Sequence, residues 1–247
     1  MKIIIKITLF LLLTSILVSC LKSVEVHDVV QMRATSLQLP ADGISKDTFY
    51  AYLPAAATAA TRFATFTAKT GVFENGKDTM TVPANRSDIK PKNWTATAIF
   101  TSSLRAGFDT IYVKASVTSV YRDSVIINQL ASVAGTIQLL ASSFSVKVNF
   151  GSEITLTGKL RNATGNPVSL GTKVKFADFY SDGVTPVNGS FRQLSDTSDI
   201  NSQVSAIYSP GLATPNTFIY IIATVVDKNG IPQANAPSDK VKIYITP

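Results

Sequence analysis

The chain has 247 residues and a formal net charge of +7, with 23 Lys and Arg against 16 Asp and Glu, one His and one Cys. A single cysteine excludes an internal disulfide, so stability must come from apolar cores, and the usual zinc ligand sets are excluded with it. The positive charge is scattered, with no run of consecutive Lys or Arg, whereas nucleic-acid binding uses a concentrated stripe; no nucleic-acid partner is expected.

In chain order, the first feature is an apolar run. Lys2 and Lys6 precede a stretch from Ile7 to Val18 interrupted only by Thr8, Thr14 and Ser15. Cations, roughly a dozen mostly apolar residues and then a small residue have the form of a secretory signal. A helix that crosses a bilayer needs about 20 apolar residues, and Lys22, Glu25, His27 and Asp28 follow too soon, so export is expected rather than a transmembrane anchor. At the end of this run, Leu17-Val18-Ser19-Cys20 resembles the lipobox of bacterial lipoproteins, in which the thiol just after the cleavage site becomes a thioether to diacylglycerol and the new amino terminus is acylated. The resemblance implies lipidation at Cys20 and a place in the cell envelope. Two acyl chains are normally enough for stable anchoring. Leu21 and Lys22 carry no retention or surface-export acidity, so the outer membrane is the default and its side stays open. Cleavage would remove residues 1–19 and with them two of the positive charges.

Residues 20–34 read as the lipidated cysteine and a polar tether. Beyond them Thr, Ser, Ala and Val are abundant and helical spacing of Leu, Glu and Lys is missing, so an almost entirely β chain is expected. Turn signals recur every 8 to 15 residues or so. In the first half the expected strands are 36–39, ending at Pro40-Ala41-Asp42-Gly43; 47–53, with Phe49, Ala51 and Leu53 on one face; 63–68, closed by Gly71; 77–82; 94–102, with Trp94, Ala96, Ala98 and Phe100 on one face; 110–117; and 124–128. In the second half they are 144–148; 153–162, with Ile154, Leu156, Gly158 and Leu160 on one side; 173–179; a short edge strand at 189–194; 203–208; 217–226, strongly apolar; and 240–246, with Val241, Ile243 and Ile245 inward. Two copies of one plan, each of about 100 residues, fit two tandem immunoglobulin-like Greek-key β-sandwiches after the lipoprotein signal peptide, at 35–130 and 131–247.

Particular stretches strengthen this. Leu37–Gly43, Ala64–Gly71, Trp94–Ser102 and Ala106–Val117, then Thr172–Ala177, Ser198–Tyr208 and Ile221–Val225, resemble in order the signatures of bacterial Ig-like domains of the invasin and intimin type. The likeness covers most of residues 35–247. Asn85–Lys92 is a longer and more charged connection than the pattern expects, and the second copy lacks the Ala-Asp-Gly turn. The resemblance implies stalk and presentation modules of surface proteins, a non-enzymatic role, and no shared site motif.

The residues that could carry chemistry are few. His27 lies in the tether, where no base is held near a nucleophile. The carboxylates fall mainly in turns beside Gly or Pro, and no phosphate-cradling glycine loop precedes a helix. Asp196 and Asp199, in Ser195-Asp196-Thr197-Ser198-Asp199, and Asp42 are weak calcium candidates, although two carboxylates in a loop are more commonly turn chemistry; no metal and no cofactor are expected. Trp94, Tyr112 and Phe100 lie in segments whose alternation assigns many such residues to a core. Tyr50, Tyr52, Tyr121 and Tyr180 are less well explained and are the candidates for a sugar-stacking platform. The expectation is a non-catalytic, membrane-anchored envelope lipoprotein acting as a spacer, adhesion or protein-interaction module. The alternative is a glycan-binding lipoprotein of a polysaccharide-uptake system.

Overall fold

A computed structural model describes residues 29–86, 93–116, 121–149 and 151–247. The export run, Cys20 and His27 lie outside the described residues. The regular elements are strands: β1 (Gln31–Ala34), β2 (Gln38–Ala41), β3 (Lys46–Leu53), β4 (Phe63–Thr67), β5 (Val72–Phe73), β6 (Thr79–Pro83), β7 (Asn85–Arg86), β8 (Trp94–Thr101), β9 (Gly107–Ala115) and β10 (Arg122–Ala131), followed by β11 (Thr136–Ala141), β12 (Ser145–Lys147), β13 (Ile154–Arg161), β14 (Lys173–Tyr180), β15 (Ser190–Ser195), β16 (Gln203–Ser209), β17 (Thr217–Val226) and β18 (Ser238–Thr246).

The first ten strands form two facing sheets, β1-β3-β8-β5, with β7 also on β8, and β2-β10-β9-β4-β6; the last eight form β11-β13-β16-β15 and β12-β18-β17-β14. In each half the opening strand pairs antiparallel in one sheet, and the next short strand crosses to the other and runs parallel to the last strand: β2 beside β10 and β12 beside β18. The same sandwich plan is therefore used twice, and the fold is all-β as the alternation requires.

Alternation decides which residues meet inside. Phe49, Ala51 and Leu53 of β3 and Ala96, Ala98 and Phe100 of β8 point into the first core with Ala64, Phe66, Ile111, Val113 and Ile127 from the facing sheet. Phe100 packs edge-on against Phe49 and Phe73, with ring centroids 5.8 and 5.7 Å away, and the alanines leave room for the rings. Burying one such ring is worth roughly 1.5–3 kcal/mol. Gly71 is required beside it: its φ is +76°, and a Cβ there would lie 2.5 Å from Phe100 Cζ and from Thr101 O, so the glycine admits both the left-handed backbone and the ring. The second core is aliphatic, built from Ile137, Leu139, Leu156, Leu160, Val174, Ile219, Ile221, Ile243 and Ile245 with Tyr208 at one end.

Several expected boundaries move. The end of the tether is a strand: Val30 and Met32 are buried, and β1 pairs with β3 from Gln31↔Tyr52 to Ala34↔Phe49. The first half has ten strands rather than about seven, because β5 and β7 are two-residue pairings on β8 and too short to show a period. β2 runs through Pro40 and Ala41 before the Asp42-Gly43 turn, β6 includes Pro83, β9 starts at Gly107 and β10 reaches Ala131. β11 was not expected at all. The assigned strands of the second half otherwise stand within a few residues, and the 217–226 strand stands unchanged.

The halves meet through hydroxyls. Ser169 Oγ donates to Ala41 O at 2.8 Å and accepts from Ser132 N at 2.8 Å, while Leu170 N donates to Leu104 O at 2.8 Å. Ser132 Oγ donates to Pro167 O and accepts from Asn162 Nδ2, and Ser198 Oγ donates to Ser169 O. Ser132, Ser169 and Ser198 are buried with their hydroxyls paired, as burial demands. The row Leu53–Trp94–Arg86 lies at the end of the first sandwich away from this joint, beside the entry of β1. Thr246 lies at the end of the second sandwich away from it.

Candidate functional site

The outer face of the β12-β18-β17-β14 sheet holds an aromatic and cationic cluster. In β17, Ile219 and Ile221 point into the core, so Phe218 and Tyr220 point out; in β18, Val241, Ile243 and Ile245 point in, so Lys240, Lys242 and Tyr244 point out. The register puts Phe218 opposite Tyr244 and Tyr220 opposite Lys242. The Phe218 and Tyr244 rings are 5.0 Å apart and tilted by 50°. Lys242 Nζ lies 4.0 Å from the centre of Phe218, and Lys240 Nζ 4.7 Å from that of Tyr220. Rings and ammonium groups thus alternate along the two strands. Phe179 of β14 stands opposite Tyr220, and Phe144, 69% exposed, adjoins Tyr244 through the Tyr244 N to Phe144 O bond.

Phe218 is 44% exposed. Each exposed cation–ring contact contributes about 0.5–1 kcal/mol, enough to hold the lysine stems against the rings and leave the ammonium heads free to meet an acceptor. Tyr244 Oη donates to Asn216 Oδ1 at 3.3 Å, Asn216 being a left-handed residue with φ of 60°. The face offers ring surface, hydroxyls and ammonium donors; it has no nucleophile and base in contact.

The other ionisable clusters are structural. Burial alone would raise the Asp42 carboxyl, but hydrogen bonds from Ser45 N, Ile44 N, Ser45 Oγ and Ser102 Oγ outweigh it and hold the group below the ordinary carboxylate value. That arrangement closes the turn before β3 and needs no ion. Asp199 accepts from Asn201 N and Gln203 N at 2.8 Å each, which is turn chemistry, and Asp196 contributes its backbone carbonyl to Val174 N. Among the described residues there is no group of three or more His, Cys, Asp or Glu placed to hold a metal ion. Asp178 Oδ2 accepts from Tyr208 Oη and Gly189 N at 2.8 Å each; burial first, and then the Asp178 charge, raise the Tyr208 hydroxyl far above its usual value, so it stays a donor. At the joint a cavity of about 560 Å³ is lined by Ala106, Val133, Leu170, Lys173 and Lys228 among others; Lys173 Nζ there donates to Lys228 O at 3.2 Å.

The aromatic residues singled out from sequence are not brought together. Phe100 is fully buried, and Trp94 is half-buried at the far end of the first core. Tyr50 and Tyr52 stack with centroids 6.5 Å apart, but Tyr52 is buried. Tyr180 Oη takes a hydrogen bond from Thr214 N, and Tyr112 lies between the buried Ile111 and Val113 of β9 and so faces out of the first core. Of the exposed cluster, Phe218 and Tyr220 lie in the strand 217–226 read from sequence as strongly apolar, and Lys240, Lys242 and Tyr244 lie in 240–246, whose Val241, Ile243 and Ile245 are read as inward. The signal available was the alternation of Phe218 and Tyr220 with Ile219 and Ile221, and of Lys240 and Lys242 with Val241 and Ile243.

No family model matches the chain, and no curated protein does. Solved structures do. The chain is similar to the Yersinia pseudotuberculosis adhesin InvE, with 15% identity and a TM-score of 0.53 over 89% of this chain and 59% of that one, and to invasin, a bacterial integrin-binding protein, with 17% identity and a TM-score of 0.58 over 87% of this chain and 39% of that one. The fold is the bacterial Ig-like fold of the invasin type. It therefore agrees with the resemblance carried by the strand signatures, while the chain spans less than two thirds of either structure's length.

Proposed function

We propose that this is a non-catalytic lipoprotein of a bacterial envelope, anchored through Cys20, whose two Ig-like sandwiches, β1–β10 and β11–β18, hold an adhesive face away from the membrane to meet a protein partner. The outer membrane remains the default location. The observation that carries the reading is the Phe218–Tyr244–Tyr220 cluster with Lys240 and Lys242 on the second sandwich, the half of the chain farther from the proposed anchor. Aromatic rings give contact area at low cost in side-chain entropy, and aromatics are enriched at the energetic centres of interfaces. Invasin's description as integrin-binding and InvE's as an adhesin support a protein ligand.

The test is adhesion of beads coated with the chain to candidate cell or protein surfaces, with Phe218→Ala and Tyr244→Ala in parallel. The double variant is expected to lose binding by tenfold or more, as removal of interface anchors typically does, while remaining folded at a stability cost of about 1–2 kcal/mol for the lost ring pair and cation contact. Full binding by the double variant would move the adhesive face elsewhere. The glycan reading keeps one supporting observation, the ring faces exposed on one sheet; the 50° tilt between Phe218 and Tyr244 makes them a poor flat platform for a sugar ring. Binding on a glycan array that the same double variant abolishes would favour it over a protein partner.

A further inference from the structure

The end of the first sandwich opposite the joint concentrates cations. Arg86 of β7 stands beside Trp94 of β8 in the row that also holds Leu53. The Arg62 guanidinium lies 4.0 Å from the centre of the Trp94 ring and that of Arg86 5.2 Å from it. On the facing sheet, Arg122 of β10 is directly opposite Lys114 of β9, and both are exposed. Like charges placed opposite each other across strands cost stability, so packing alone does not account for the pair. Among the described residues the ion pair is Arg192 with Glu153, in the other sandwich, and none of these four cations has a carboxylate partner. The neighbouring carboxylate, Asp123, accepts from Met32 N at 2.7 Å and Ser124 N at 2.8 Å. Phe63, 37% exposed, borders the cluster on β4. The chain enters at this same end, because Gln31 pairs with Tyr52, one residue from Leu53 and Trp94.

We propose that this pole, Arg62 and Arg86 on Trp94 with Lys114 and Arg122 on the facing sheet, is a docking surface for anionic phospholipid headgroups, so that the first sandwich stands with this end against the bilayer. The inference rests on the proposed anchoring at Cys20 for which end faces the membrane; its chemistry does not. The guanidinium groups bind phosphate in a forked, bidentate fashion, and an indole with an apolar body and one polar N–H suits the headgroup layer. Trp94 already has its Nε1 donating to Ala55 O at 3.2 Å, which fixes the ring at the rim. Each Lys or Arg near an anionic surface is worth about fivefold in partitioning, from about 1 kcal/mol per residue.

The experiment uses the chain from residue 20 onward carrying Cys20→Ser, which retains every described residue and has no thiol to acylate. It is mixed with vesicles of phosphatidylcholine alone and of phosphatidylcholine with an equal part of phosphatidylglycerol, and binding is read by co-sedimentation and by the emission of Trp94, the one tryptophan in the chain. The expected result is binding to the anionic vesicles alone, accompanied by a change in Trp94 emission and weakening as salt shortens the Debye length. Arg86→Gln, Lys114→Gln and Arg122→Gln together are expected to reduce partitioning by about a hundredfold, while Lys147→Gln, Lys175→Gln and Lys228→Gln together leave it unchanged. Equal binding to both vesicle types, equal losses from both triple variants, or binding to a soluble polyanion such as heparin but not to the vesicles would overturn the proposal. Mass analysis of the envelope-extracted protein tests acylation at Cys20 separately, so the anchoring and the docking surface can fail independently.

Discussion

The two sandwiches share a strand plan and differ in what fills it. The first packs rings against alanines: Phe49, Phe66, Phe73 and Phe100 fit because Ala51, Ala64, Ala96, Ala98 and Ala115 give way to them. The second packs branched aliphatic side chains at nearly every inward position and closes one end with the Tyr208–Asp178 hydrogen bond. Interiors need native density in low-energy rotamers, and a few large side chains among small ones or many of middle size both reach it. The fold is therefore specified by alternation, turns and the crossing of β2 and β12 between sheets, and the identity of the core residues is free to drift. The consequence differs, however: a core of rings and alanines concentrates its stability in few side chains, whereas an aliphatic one spreads it.

The largest effect that would sharpen this contrast is Phe100→Ala. It is expected to cost about 3–5 kcal/mol and to unfold the first sandwich at lower denaturant while the second keeps its midpoint, as followed by Trp94 emission for the first and far-ultraviolet circular dichroism for both. A single shared transition, shifted as a whole, would break the comparison and mean that the halves unfold together. A middle effect comes from pH. The Asp42 carboxyl is held below its ordinary value of 3.8 in the folded chain, so its contribution is present above that value and is lost as pH falls through the lower folded one. The Asp182-Gly183 turn of the second sandwich repeats this pattern, Asp182 accepting from Val184 N, Thr185 N and Thr185 Oγ with its carboxyl also held below the ordinary value. Asp182 is exposed and screened by solvent, however, whereas Asp42 is buried, so acid is expected to weaken the first sandwich more than the second; Asp42→Asn should cost about 2 kcal/mol at neutral pH and flatten that acid limb in a urea titration repeated across pH. The smallest effect is at the joint. Ser169→Ala removes the donor to Ala41 O and the acceptor of Ser132 N, and is expected to cost about 1 kcal/mol while drawing the two unfolding midpoints apart.

What was legible in the chain follows from these same physics. β3, β8, β13, β17 and β18 are long enough for period-two alternation to declare itself, and their inward residues are as expected. β1 was hidden because one buried side chain, Met32, is all that a four-residue edge strand shows beside Val30. β11 was hidden because Leu140, 41% exposed, breaks the alternation of Ile137 and Leu139. The aromatic face is hidden for a related reason: Phe218 and Tyr220 look like core residues in a string of Ile, Ala and Val, and only the partner strand's Lys240 and Lys242 identify that side as solvent-facing. The basic pole could not be read at all, since Arg62, Arg86, Lys114 and Arg122 are up to 60 positions apart and share one end of the sandwich only through the pairing of β7 with β8 in one sheet and of β4 and β10 with β9 in the other.

The two parallel pairings have a mechanical meaning. β2 runs beside β10 and β12 beside β18, each pair in the same direction. When the ends of the molecule are pulled, β12 is held from its amino side while β18 is drawn from its carboxyl side, and β2 and β10 are loaded alike. The hydrogen bonds of each pair then bear the load in shear, all at once, instead of opening one after another like a zip. Each sandwich gains resistance to rupture by an axial pull from this arrangement without any added bond.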